Sequence, residues 1–265
     1  MTTVPYHWSY GPDDAPLLLC LHGIGSCADA FVSQIPAAAA SERRIVAWDA
    51  PGYRNSADPD PGSGDGPGID GWADAVADLI EHLGADRADV LGVSWGGVTA
   101  TRLALRHPAR VRSLILADSS PGAGVNPEAA ESMRSRAGAL TEVGPETFAR
   151  ERTPLLVNAE ADAELLDSVA TMMIDSVRMP SYQWACNSMA EADHRPDLPS
   201  IDVPTLVVVG DEDRVTGLAA AEALADGIPG AELAVIDAAG HLANQERPEA
   251  FNEVLVRFLT GVPTD

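Results

Sequence analysis

The chain has 265 residues, 46% of them hydrophobic, and carries 17 Lys+Arg against 40 Asp+Glu, a formal net charge of −23. That length suits one large domain or one domain with an insertion, and the apolar fraction is too high for a disordered chain. So few basic residues argue against nucleic acid or an anionic membrane surface as a partner, while a small anionic substrate stays open because a local pocket can oppose the global sign.

Cys20, Cys27 and Cys186 show no paired spacing, and no C-x-x-C or His/Cys cluster suggests a metal site, so no metal is expected. The first residues lack a basic region followed by an apolar core, and the apolar runs are too short to span a bilayer. With sparse cysteines, this makes the cytoplasm the expected compartment. Residues 1–16 are polar and turn-rich, with one or two weak edge strands expected. Leu17–Leu21 is a continuous apolar run, the pattern of a strand buried on both faces of a parallel sheet, and it ends in the loop His22-Gly23-Ile24-Gly25-Ser26. A helical stretch over about 28–40, interrupted by Pro36, leads to a strand at Arg44–Trp48 that closes on Asp49-Ala50-Pro51-Gly52.

From Asn55 to Gly71 the chain is rich in Gly, Pro, Asp and Ser and reads as a surface loop. Asp70 has the character of an N-cap for a helix whose apolar positions are Trp72, Val76, Leu79, Ile80 and Leu83, with Gly84 as its stop. An apolar run at 88–91 then enters Gly92-Val93-Ser94-Trp95-Gly96-Gly97, and a helix follows that must end before Pro108. Strand, G-x-S-x-G and helix together form a nucleophile elbow. A serine at the tip of so tight a turn is held in a strained backbone, and the flanking glycines leave room for strand and helix to pass. A plain glycine-rich turn with a capping serine is the bland alternative. The next strand is Val111–Ala117, ending at Asp118.

Strand and helix alternate to this point, as in a parallel sheet with crossover helices. Residues 122–198 break the alternation. Leu165, Leu166, Val169, Met172, Met173 and Val177 share one helical face, and further helical pieces surround Phe148 and Tyr182-Gln183-Trp184. This segment reads as a helical cap, with residues 1–121 and 199–265 forming the core domain. Trp184 and Met189 are its candidate pocket residues. Alternation resumes with a strand at 203–209 ending in Gly210-Asp211-Glu212-Asp213, a helix at about 217–226, a strand at Glu232–Ile236 ending near Gly240-His241, and a last helix from Pro248.

Ser94, the acidic cluster at 211–213 and His241 therefore all fall just past the C-terminal ends of predicted parallel strands, the rim where open α/β sheets bind ligands. The chemistry calls for all three. A serine hydroxyl attacks a carbonyl only if a base takes its proton, an imidazole does this near neutral pH, and a carboxylate fixes the imidazole tautomer. His241 is the candidate base, since His82 and His107 fall on predicted helices and His7 and His194 on irregular polar segments. Asp213 is the favoured acid, with Asp118 as the alternative. Backbone N–H groups of Trp95 and Ile24 are the candidate oxyanion hole, and Ser26 a candidate substrate contact. His22 reads as a structural pin for its loop.

The segments His22-Gly23-Ile24-Gly25, Asp49-Ala50-Pro51-Gly52, Gly92–Gly97, Val209–Asp213 and Gly240-His241 together resemble the α/β-hydrolase fold over essentially the whole chain. The resemblance implies a mostly parallel central sheet flanked by helices, and it selects Asp213, three residues past the strand-end glycine. Within the fold the chain is most similar to the capped group of 3-oxoadipate enol-lactonases, single-domain esterases and carbon–carbon bond hydrolases. Arg54 stands where that family often has a second glycine, as a surface charge or an anion-facing group. The resulting expectation is a cofactor-independent serine hydrolase of a small carboxylic ester or lactone, acting as a monomer or homodimer. Carbon–carbon bond cleavage of a β-diketone or vinylogous diketone by the same residues is the alternative. A small-molecule receptor on the same scaffold is the reading from another class, and the intact Ser, Asp and His set argues against it.

Overall fold

The apolar runs become the strands of one seven-stranded sheet in the order β1-β3-β2-β4-β5-β6-β7, in the computed structural model, which describes residues 3–59 and 66–264. The strands are β1 (His7–Tyr10), β2 (Leu17–Leu21), β3 (Arg44–Trp48), β4 (Ala88–Val93), β5 (Val111–Ala117), β6 (Thr205–Gly210) and β7 (Glu232–Ile236). β1 pairs antiparallel with β3 at one edge, and every other pairing is parallel. Burial on both faces selects mostly apolar sequence in β2 to β6, and two charged residues inside them, Asp89 of β4 and Arg112 of β5, pair with each other.

Two-residue alternation sends each strand's side chains into two cores. Leu17, Leu19, Leu21, Val90, Leu114 and Leu116 pack on one face with helices α2 (Gly68–His82) and α3 (Trp95–Arg106). Leu18, Cys20, Leu91, Val93 and Ile115 pack on the other with α1 (Ile35–Ala40) and the C-terminal α10 (Pro248–Gly261). Between β5 and β6 lie α4 (Pro127–Val143), α5 (Pro145–Leu156), α6 (Ala163–Ser176) and α7 (Ser181–Glu191), and α8 (Gly217–Gly227) and the short α9 (Ala243–Glu246) follow later. Among the described residues no helix is long and apolar enough to cross a membrane. The three cysteines are free and buried.

Three local expectations change. Pro36 does not interrupt a helix. It sits in the first turn of α1, where its missing N–H costs nothing, and the break falls just before, where a tighter 3-10 helix over Ala28–Gln34 ends. Asp70 does not cap α2, which begins at Gly68 behind Pro67; its carboxylate accepts from Arg102 on α3 instead. The loop expected over Asn55–Gly71 is in part helix from Gly68 onward, and its central residues 60–65 lie outside the described residues. Gly84 stands in the left-handed region at φ +74°, just past the end of α2, and the Ala85 N–H reaches back to the Ile80 carbonyl.

Candidate active site

The turn between β4 and α3 forces Ser94 into φ 55°, a region that side chains avoid. The surroundings hold it there: the Ser94 N–H donates to the Ala117 carbonyl at 2.9 Å, and the Ser119 hydroxyl donates to the Ser94 carbonyl at 2.8 Å. The strain is thus fixed from the neighbouring strand end. It presents Oγ above the sheet rim at the start of α3.

Ser94 Oγ–H donates to His241 Nε2 at 2.9 Å, and His241 Nδ1–H donates to Asp213 Oδ2 at 3.0 Å. These bonds assign the imidazole tautomer, with its proton on Nδ1 and a free lone pair toward the serine. Burial pushes the Asp213 carboxyl up, but hydrogen bonds from His241, Thr216 and the Val215 N–H outweigh it and hold the group well below the ordinary carboxylate range. Asp213 therefore stays a carboxylate at any pH where His241 is needed.

Asp118, the competing acid, makes no hydrogen bond to His241. Its oxygens accept from the Gly210 N–H at 3.0 Å and the Ala243 N–H at 2.9 Å, tying the acid loop to the segment after the histidine. Burial raises its carboxyl to about 7. Glu246 is a second tether that its sequence position does not advertise. It accepts from the N–H groups of Gly240, Leu242 and Asn158, clamping both sides of His241 and the end of α5.

Opposite the elbow, the loop after β2 is pinned twice. The Tyr53 hydroxyl donates to the Ile24 carbonyl at 2.9 Å, and the Tyr53 ring stacks on Trp95. His22 Nδ1–H donates to the Gly23 carbonyl at 2.8 Å while Nε2 accepts the Ala50 N–H at 3.0 Å, which keeps the ring neutral. The Ile24 and Trp95 N–H groups donate to no acceptor among the described residues, and the Trp95 N–H belongs to the first turn of α3. Burial lowers His22 to about 4 from 6.5. Between those values an unfolded chain takes up a proton that native His22 refuses, so this contribution to stability is lost as the pH falls. Asp118 works the other way across the same range. The effect of His22 is therefore read from a variant: the deficit in melting temperature of His22→Gln relative to wild type should narrow between pH 7 and pH 4.5. A constant deficit would mean that native His22 is not held neutral.

These groups open on a cavity of about 420 Å³ walled by Ser94, Trp95, His241, Ile24 and Ser26, and by residues of α4 to α7. Ser26 and Met189 lie on the wall. Trp184 does not. Its indole packs beneath Gly66, whose missing Cβ leaves it room, so this candidate substrate contact is corrected to a packing residue. Cys27 is buried behind the wall with its sulfur 3.2 Å from Arg54 Nη1. Arg54 pairs with Asp29 and holds a left-handed backbone at φ 38° where a glycine would be at ease. Sequence reasoning missed Thr216, Tyr53, Glu246 and two wall arginines, Arg136 and Arg152. The helices that bear the arginines do carry start signals, the Asn126 side chain capping the Glu128 N–H ahead of α4 and Pro145 in the first turn of α5.

A strained serine between a parallel strand and a helix, met by a histidine and an acid from later strand ends, defines the hydrolase class of α/β enzymes. The alpha/beta hydrolase fold family profile matches residues 16–248, and the chain belongs to that family. It is 29% identical over 249 residues to 3-oxoadipate enol-lactonase 2 of Acinetobacter baylyi, covering 93% of this chain and 90% of that protein. It is 28% identical to the 2-hydroxy-6-oxononadienedioate/2-hydroxy-6-oxononatrienedioate hydrolase 1 of Dechloromonas aromatica, over 92% of this chain and 86% of that one. Among solved structures, a thermophilic esterase from Thermogutta terrifontis superposes with a TM-score of 0.86 at 26% identity, covering 98% of both chains.

Proposed function

We propose that the protein is a cofactor-independent serine hydrolase that cleaves a small carboxylic ester or lactone through an acyl-enzyme on Ser94. The observation that carries this is the continuous relay from Ser94 Oγ through His241 to Asp213, at 2.9 and 3.0 Å, open to the cavity. As Oγ attacks the substrate carbonyl, its proton passes to His241 Nε2, and Asp213 stabilises the imidazolium. The Ile24 and Trp95 N–H groups receive the oxyanion. Collapse breaks the C–O bond, and the leaving alkoxide takes the proton from Nε2. Water then repeats the sequence, giving its proton to His241 and releasing the acid. Residues 1–121 and 199–265 serve as the catalytic core and 122–198 as the cap. The similarity to the enol-lactonase and the esterase supports ester or lactone as the bond cleaved. The similarity to the Dechloromonas hydrolase favours a second reading, carbon–carbon bond hydrolysis by the same residues.

The test is a panel of p-nitrophenyl esters, lactones and β-diketones with the purified protein, together with the intact mass of the protein quenched during ester turnover. The expected result is ester and lactone hydrolysis with an acyl mass added at Ser94, absent in Ser94→Ala. Turnover that persists in Ser94→Ala would remove the nucleophile, and cleavage confined to diketones would favour the second reading.

A further inference from the structure

The cavity wall inverts the charge of the protein. The chain holds 40 Asp+Glu, yet among the described residues the wall carries no carboxylate side chain and two guanidiniums, Arg136 from α4 and Arg152 from α5. Elsewhere, arginines against the core have carboxylate partners: Arg43 and Arg112 share Asp89, and Arg102 meets Asp70. Arg136 and Arg152 make no ion pair or hydrogen bond with any described residue. Arg152 lies over the Phe148 ring, 5.5 Å from its centroid, which orients the guanidinium without neutralising it. Burial, and then the like charge of Arg152, pulls Arg136 below the ordinary arginine range. Two half-buried like charges facing one cavity are costly unless something of opposite sign joins them.

We propose that Arg136 and Arg152 form an anion subsite in the cavity that Ser94 and His241 open on, and that the ester or lactone cleaved there carries a carboxylate away from its scissile bond. This rests on the hydrolase reading above and adds the class of substrate to it. The planar guanidinium fork matches a carboxylate with paired N–H···O bonds, which a lone cation does not. Its placement also answers the global field: a surface of net charge −23 repels an anion at a distance, so only a site with its own positive charge retains one.

Two measurements test this. In the first, kcat/KM is compared for 4-nitrophenyl hydrogen glutarate and the neutral 4-nitrophenyl pentanoate, in wild type and in Arg136→Gln/Arg152→Gln. Wild type should favour the anionic ester by about tenfold or more, and the double variant should lose about tenfold of that ratio, mainly through KM. A wild-type ratio near one, or a ratio unmoved in the variant, overturns the subsite. In the second, glutarate binding to Ser94→Ala is measured by calorimetry, with and without the arginine substitutions; binding should weaken about tenfold when they are present. The single variants Arg136→Gln and Arg152→Gln cover a double variant that does not fold. The two readings fail separately. Arginine-dependent glutarate binding without any ester turnover sinks the hydrolase reading alone, and ester turnover blind to charge sinks the subsite alone.

Discussion

Asp213→Asn is expected to lower kcat by about four orders of magnitude while leaving the fold intact and KM little changed. His241 Nδ1–H donates to Asp213 Oδ2, which leaves Nε2 free to take the serine proton. An asparagine amide in that place donates to Nδ1 and moves the ring proton to Nε2, so the imidazole can no longer act as the base. The fold survives because Asp213 Oδ1, which accepts the N–H groups of Val215 and Thr216, has an equivalent in the asparagine carbonyl. Asp118→Asn is the comparison that gives the result meaning. It turns one of two acceptors facing buried N–H groups into a donor, costing about 1–3 kcal/mol of stability, and leaves the His241 tautomer alone. Steady-state kinetics on a p-nitrophenyl ester, with thermal melts of both variants, decides the matter. A kcat loss at Asp118 equal to or above that at Asp213 would move the acid to position 118.

What the sequence makes legible here follows from how local each signal is. β2 and β6 are readable because burial on both faces demands apolar runs, β5 because its second half, Leu114–Ala117, is such a run, and the elbow is readable because the turn at Ser94 needs Gly92 and Gly96 beside it. Pro248 announces α10 because proline fits a first helical turn. Asp70 misleads because its cap-like chemistry is used for a pair with Arg102, more than thirty residues on. Trp184 misleads because an aromatic among the helices between β5 and β6 fits a pocket wall and a packing site equally well, and only the path of the chain through Gly66 decides between them. Arg136 and Glu246 leave no local mark at all. Charged residues on helices are ordinarily solvated, and what sets these two apart is what the rest of the chain brings against them.

Gly96→Ala is expected to leave little folded protein, with a loss of stability above about 4 kcal/mol, a large share of what a domain of ordinary stability has. A Cβ at Gly96 would stand 2.0 Å from the Leu21 carbonyl oxygen and 2.7 Å from that of His22. Both are backbone atoms, at the end of β2 and the start of the loop that carries the Ile24 N–H, so no side-chain rotation relieves the clash. Relief requires moving α3 away from β2, which unseats the Ser94 turn and the loop after β2 together. The same elbow is tight from the other side, where a Cβ at Gly92 would come 2.3 Å from the Gly96 carbonyl oxygen. Gly138, exposed in the middle of α4, is the contrasting site: a Cβ there meets nothing within 4 Å, and Gly138→Ala should stabilise the protein by about 0.5–1 kcal/mol through helix propensity. Soluble yield, thermal melts and ester turnover of the two variants separate the cases. A Gly96→Ala protein that melts near wild type and still turns over ester would mean that α3 and β2 stand farther apart than this packing has them, and that the strain at Ser94 is set by something other than the close approach of strand and helix.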